Sequence, residues 1–217
     1  MKKVLDFLTE LQSNNNKDWF SAHKKDYEQA KKEFSTYLEQ VLQEMEAFET
    51  GTSNLTVSSC MFRINRDIRF STDKSPYKIN FGASINVFGK KSPKAGYYIH
   101  VQPNASFVGG GMYMPEPEVL KSVRQEIDYN LEDFEAILTN EKFKHIYPNL
   151  ISDDKLQRPP KGYEADNKAI EYLKNKHFAC LHNLSDSELL GKEIVPKTVE
   201  SFQVLQPFIK FLNKSLE

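Results

Sequence analysis

The sequence predicts an α+β fold in one domain, with an antiparallel sheet of four to five strands covered by a long N-terminal helix and by C-terminal helices. Three observations lead there: helical periodicity through the first 50 residues, a change to β-branched and aromatic residues with frequent turns from Leu55, and a return of helical periodicity after Pro117.

Residues 2–13 place Val4, Leu5, Leu8 and Leu11 at helical spacing, and the polar run Ser13 to Asn16 supplies a turn and a cap for the next helix. From Lys17 to about Glu49, Phe20, Tyr27, Ala30, Phe34, Leu38, Val41, Met45 and Phe48 advance by three or four, which predicts one long amphipathic helix ending before Gly51. Strands are expected over residues 55–64, 81–88, 97–102 and 106–114, joined as a meander, with residues 177–184 as a possible fifth. Pro117 suits the first turn of a helix carrying Val119, Leu120, Val123 and Ile127, and Phe134, Ile137 and Leu138 suggest another. Residues 148–163 read as an ordered loop, residues 165–175 as a short helix, and residues 198–216 as a closing helix that Pro207 should bend.

The chain has 217 residues, 39% hydrophobic and 27% charged, enough apolar side chains for one core and no sign of disorder. Its first residues are broken by Asp6 and Glu10, unlike a signal peptide, and no apolar run is long enough to span a bilayer, so a cytoplasmic protein with no membrane partner is expected. Cys60 and Cys180 are too few for a disulfide framework and read as reduced thiols. His23, His100, His145, His177 and His182 lack the spacing of a metal site, so neither a metal nor a cofactor is expected.

A formal net charge of −1 argues against general polyanion binding and makes a nucleic-acid partner unlikely at this level, leaving any protein partner open. The charge is nevertheless uneven. From Cys60 to Lys94, the cations Arg63, Arg66, Arg69, Lys74, Lys78, Lys90, Lys91 and Lys94 face only Asp67 and Asp73. In an extended backbone Phe62, Ile64, Ile68 and Phe70 would share one face, and Arg63, Asn65, Asp67 and Arg69 the other. Arg66 falls on the apolar face, which predicts either a carboxylate partner or a break in the strand. The turn-rich residues 71–78 would bring Lys74, Tyr77 and Lys78 back beside the arginines.

This stretch also carries the signature Arg-x-x-Arg-Asp-x-Arg-Phe-x-x-x-Lys-x-x-Tyr, as Arg63, Arg66, Asp67, Arg69, Phe70, Lys74 and Tyr77. With residues 15–20, Gly109 to Gly111, Pro115, Leu120, Arg124, Arg158 and residues 160–163, it resembles a mainly bacterial conserved hypothetical family of about this length. The resemblance extends over nearly the whole chain and implies a site here, but no particular reaction.

Guanidinium forks and lysine charges suit phosphate or carboxylate. The leading expectation is therefore a small anionic ligand, a phosphorylated or carboxylated metabolite or a nucleotide, held by Arg63, Arg66, Arg69, Lys74 and Lys78. Gly110, Arg124, Arg158 and Lys161 are further candidates for binding it. Asp67 would orient an arginine, and Tyr77 or His100 would move a proton if catalysis occurs. The alternatives are an adaptor docking an acidic protein or nucleic acid through the basic strand and loop, and an internal brace in which the arginines clamp acidic residues. Gly109 to Gly111 resembles an anion nest less than it resembles a bulge or tight turn. The aromatics Phe62, Phe70, Tyr77, Phe81 and Phe88, interleaved with basic residues, are assigned to core packing rather than to base stacking.

Overall fold

The computed structural model describes all residues, 1–217. The chain divides into two compact units, the first comprising residues 1–90, 98–108 and 183–200, the second residues 91–97, 109–182 and 201–217.

The first unit opens with α1 (Lys2–Ser13), α2 (Lys17–Ala22) and α3 (Lys24–Met45). Val4, Leu8 and Leu11 of α1 lie fully buried, as do Ala30, Phe34, Leu38, Val41 and Met45 of α3, so the two helices hide their predicted stripes against each other. The expected single helix over 17–49 is broken at His23. The backbone N–H of His23 donates to the Trp19 carbonyl at 3.0 Å and its Nδ1 reaches the same oxygen at 2.9 Å, while the imidazole stacks on the Trp19 ring at 4.1 Å. The Trp19 carbonyl keeps its backbone bond and gains the ring contact, and the helical bonds resume with the N–H groups of Asp26 and Tyr27 on the His23 carbonyl.

A 3-10 turn at Thr52–Asn54 leads into the short α4 (Val57–Cys60). The strand expected over 55–64 is therefore absent. Thr56 accepts from the Ser59 N–H at 3.2 Å and caps α4, and only isolated bridges follow, Met61 to Ala83 and Asn65 to Tyr77. Four strands form one antiparallel sheet in the order of a meander: β1 (Phe81–Ile85), β2 (Gly96–Val101), β3 (Ser106–Met112) and β4 (Phe178–Leu184), the last being the expected fifth strand. Phe81 of β1 stacks on Phe34 at 5.4 Å within the first unit.

The second unit contains α5 (Pro117–Tyr129), α6 (Leu131–Thr139), α7 (Glu141–Ile146) and α8 (Ile170–Leu173), the last being all that forms of the helix expected over 165–175. Phe134, fully buried, collects the rings of Tyr172, Phe178, Phe208 and Phe211. The chain then passes through α9 (Asp186–Leu190), closed at its start by a Ser185–Glu188 capping box, into α10 (Ile194–Lys214), which contains Pro207. Strands β2, β3 and β4 and helix α10 each supply residues to both units. No helix is long and apolar enough to cross a membrane, and both cysteines are free and buried.

Residues 61–83 are held with little regular ladder, and Asn15 supplies part of what is missing. Its side chain donates to the Tyr77 carbonyl at 2.9 Å and accepts from the Tyr77 N–H at 3.1 Å, as a neighbouring strand would. The Tyr77 ring is buried and stacks on Phe20 at 3.9 Å. Replacing Asn15 with Ala should cost about 2–3 kcal/mol in urea unfolding, because both backbone groups lose a partner, whereas the N-cap change Asn16→Ala should cost about 1 kcal/mol.

Candidate functional site

The segment after Cys60 folds back on itself as an irregular hairpin. The Phe62 N–H donates to the Gly82 carbonyl at 2.9 Å, Lys78 N–H to Ile64 O at 2.8 Å, and Arg66 N–H to Pro76 O at 2.9 Å. This pairing brings Lys78 back beside Arg63, as the sequence suggested, and leaves residues 67–75 as a loop.

Arg66 holds that loop together. Its guanidinium pairs with Asp73, donates to the Ser75 carbonyl at 3.1 Å and reaches Ser71 Oγ at 3.3 Å. Asp73 also accepts from the Ser75 N–H at 2.9 Å and the Ser75 hydroxyl at 2.7 Å, and these bonds, ahead of the one from Arg66, draw its carboxyl down to about 2. Arg69 makes a two-pronged pair with Asp67 at 2.9 and 2.7 Å, which lowers the Asp67 pKa, and Lys74 donates to the Ile68 carbonyl at 3.0 Å. Three of the expected ligand-binding cations are thus occupied within their own loop. Asp67 does orient an arginine, namely Arg69.

Arg63, Lys78 and Lys90 are differently placed. None of them forms an ion pair; Lys78 and Lys90 lie over Phe62, while Arg63 is near enough to repel Lys78 and to feel the Asp67 carboxylate. The ammonium of Lys78 lies 5.3 Å from the centre of the Phe62 ring, and that of Lys90 lies 4.9 Å from it while donating to the Met61 carbonyl at 2.8 Å. Burial first, then repulsion from Arg63 and Lys90, lowers the Lys78 pKa. Phe62 itself is 37% exposed, Phe88 57% and Phe70 96%. The assignment of these three rings to the core fails, because residues 62–70 form no continuous strand and their alternation has no sheet to pack on; Tyr77 and Phe81 are core as expected.

Beside the cations, Tyr98 and His100 share one face of β2, and Gln102 follows on that side just past its end. His100 Nε2 lies 3.2 Å from Gln102 Oε1, and Nδ1 lies 3.3 Å from the Tyr98 hydroxyl and 3.4 Å from Asn80 Nδ2. This arrangement fits the neutral ring with the proton on Nε2, donating to Gln102, and Nδ1 accepting. The ring stacks on Phe107 of β3 at 4.6 Å, and Tyr98 packs at 6.3 Å from Phe62. Gly82 makes room for the hydroxyl, since a Cβ there would come within 2.7 Å of it. Burial lowers the His100 pKa and raises that of Tyr98.

The remaining candidates fall in the second unit. Arg124 donates to the Leu173 carbonyl at 2.7 Å and the Asn175 carbonyl at 3.0 Å, closing the end of α8. Gly110 lies inside β3, where a side chain would run into the Gly96 carbonyl, so it belongs to a strand and not to an anion nest. Arg158 and Lys161 are exposed in the 148–163 loop. No three His, Cys, Asp or Glu side chains gather where a metal would need them.

A family model covers residues 3–211. The chain belongs to the family described as Conserved hypothetical protein (DUF2461). No curated protein and no solved structure matches it significantly. What distinguishes this DUF2461 chain at the site is a group that sequence reasoning divided. In sequence Lys90 is one of eight cations spread over residues 60–94 and Phe62 is assigned to the core, while Asn80 and Phe107 carry no signal at all.

Two outcomes test this geometry. Chymotryptic cleavage after Phe70 should accelerate roughly tenfold in Arg66→Ala, which frees the loop, and stay unchanged in Arg69→Ala, which loses only an exposed pair. Because the folded pKa of His100 lies below its ordinary 6.5, the folded state binds fewer protons than the unfolded one as the pH falls. Its contribution to stability should be complete above pH 6.5 and be lost as the pH drops through the lower folded value. Unfolding measured from pH 7.5 to 5 should show a shallower decline in His100→Gln.

Proposed function

We propose that this protein binds an anionic ligand with a planar part, such as a nucleotide or another phosphorylated or carboxylated metabolite, over the Phe62 ring. The observation that carries this reading is the placement of two lysines without carboxylate partners, Lys78 and Lys90, over one partly exposed ring, with Arg63 close enough to repel Lys78. Burial is the larger cause of the lowered Lys78 pKa, but repulsion from Arg63 and Lys90 adds to it, and an arriving anion relieves that repulsion. Arg63 offers a forked donor, Lys78 and Lys90 supply point charges, and Phe62 offers a flat face.

Charge-assisted bonds contribute about 1.5–3 kcal/mol each, against an association cost of several kcal/mol, so three of them and one stacked ring fit micromolar affinity or weaker. In this reading Arg66, Asp67, Arg69 and Lys74 shape the loop next to the site, Tyr77 anchors it in the core, and the Tyr98–His100 pair is the nearest group able to pass a proton.

A thermal-shift titration with a nucleoside monophosphate, the matching uncharged nucleoside and inorganic phosphate checks this. The monophosphate should raise the melting temperature most and the nucleoside least, with about 2.7 kcal/mol of stabilisation at a hundredfold excess over Kd. Lys78→Ala/Lys90→Ala should abolish the shift, and Lys91→Ala should leave it intact. Equal shifts in both variants, or none with any anion, would overturn the reading.

A further inference from the structure

Building on that anion site, we propose that its ligand is a single-stranded nucleic acid, with phosphates on Arg63, Lys78 and Lys90 and bases on the neighbouring rings. A mononucleotide needs one flat surface. The first unit offers Phe62, Phe70 and Phe88 in the open, at 37, 96 and 57% exposure. Lone exposed phenyl groups are unremarkable, but here cations accompany Phe62 and Phe70. Lys78 and Lys90 sit over Phe62, and the Arg69 guanidinium lies 5.8 Å from the centre of Phe70.

The adjoining sheet face extends the same chemistry. Tyr98, His100 and Phe107 stand partly accessible on β2 and β3, with the last two rings nearly parallel at 7°. Alternating positive charge and flat rings match a strand whose every residue carries a phosphate and an unpaired base. A duplex keeps its bases inside, and an acidic polypeptide brings charge without rings to stack. The loop bearing Phe70 is fixed by Arg66, Asp73 and Lys74, so its ring is presented at little ordering cost. The overall charge of −1 confines attraction for a polyanion to this surface, which accounts for a low number of phosphate contacts rather than for none.

The test is fluorescence anisotropy with a fluorescein-labelled 12-mer of deoxythymidine, with thymidine monophosphate, a blunt duplex and polyglutamate as competitors. Three neutralised phosphates give a log–log salt slope of about −2, a loss of roughly 20-fold in affinity between 50 and 200 mM salt. Phe62→Ala and Phe62→Leu should each weaken binding by about 5- to 160-fold, since both remove a flat ring, while their melting temperatures report that they remain folded. Phe70→Ala should weaken it in the same sense.

A 12-mer that binds no more tightly than the monophosphate overturns the inference and leaves the small-anion reading standing; binding of neither removes both. Displacement by polyglutamate as effective as by unlabelled 12-mer, or Phe62 variants that bind like the wild type, assigns the surface to an acidic protein and also overturns the inference.

Discussion

The geometry of the candidate site depends on the amide of Asn15. Residues 61–83 have two isolated bridges where a sheet would have a ladder, and the side chain that grips both backbone groups of Tyr77 comes from the turn between α1 and α2. That grip sets where Tyr77 lies, Tyr77 sets the return of Lys78 opposite Ile64, and Lys78 then meets Phe62. A residue 62 positions away in sequence thus determines which cations become neighbours. The stacked Phe20 and Tyr77 rings tie the same two segments through apolar contact, so hydrogen bonding and burial act in one direction.

Charge in this region is sorted rather than scattered. Asp67 and Asp73 are the only carboxylates near the basic segment in sequence, and each is committed to an arginine of the same loop. Arg66 and Arg69 therefore meet short-range carboxylates at small entropic cost, while Lys78 and Lys90 form no ion pair and Arg63 feels Asp67 only at longer range. Arg66 braces its own loop through Asp73 rather than clamping an acidic residue of a packing helix, and Lys78 and Lys90 near Phe62 form no ion pair.

Much of the fold was legible because burial imposes period. The stripes of α1, α3 and α5 and the alternation in β2 were readable as written, and so was the sharing of one face by Tyr98, His100 and Gln102. Period is blind to interruptions that preserve it, so the break at His23 was hidden: the apolar spacing runs on from Phe20 to Tyr27 across it. Period is equally blind to whether a face has anything to pack against. Phe62, Ile64, Ile68 and Phe70 alternate like strand residues, yet only Ile64 is buried, because pairing here is limited to isolated bridges. Lys90 was out of reach for a related reason, since its place over Phe62 depends on how β1 follows the bridge at Met61.

Gly109, Gly110 and Gly111 show how steric demand can imitate chemistry. A side chain at the first would meet the Cys180 carbonyl, at the second that of Gly96, and at the third that of Phe178, where the backbone also adopts φ +122°. Saturation mutagenesis of these three codons would return a block of intolerance that looks like a nucleotide-binding loop. Its origin would instead be the crowding of main chains, with no ligand involved.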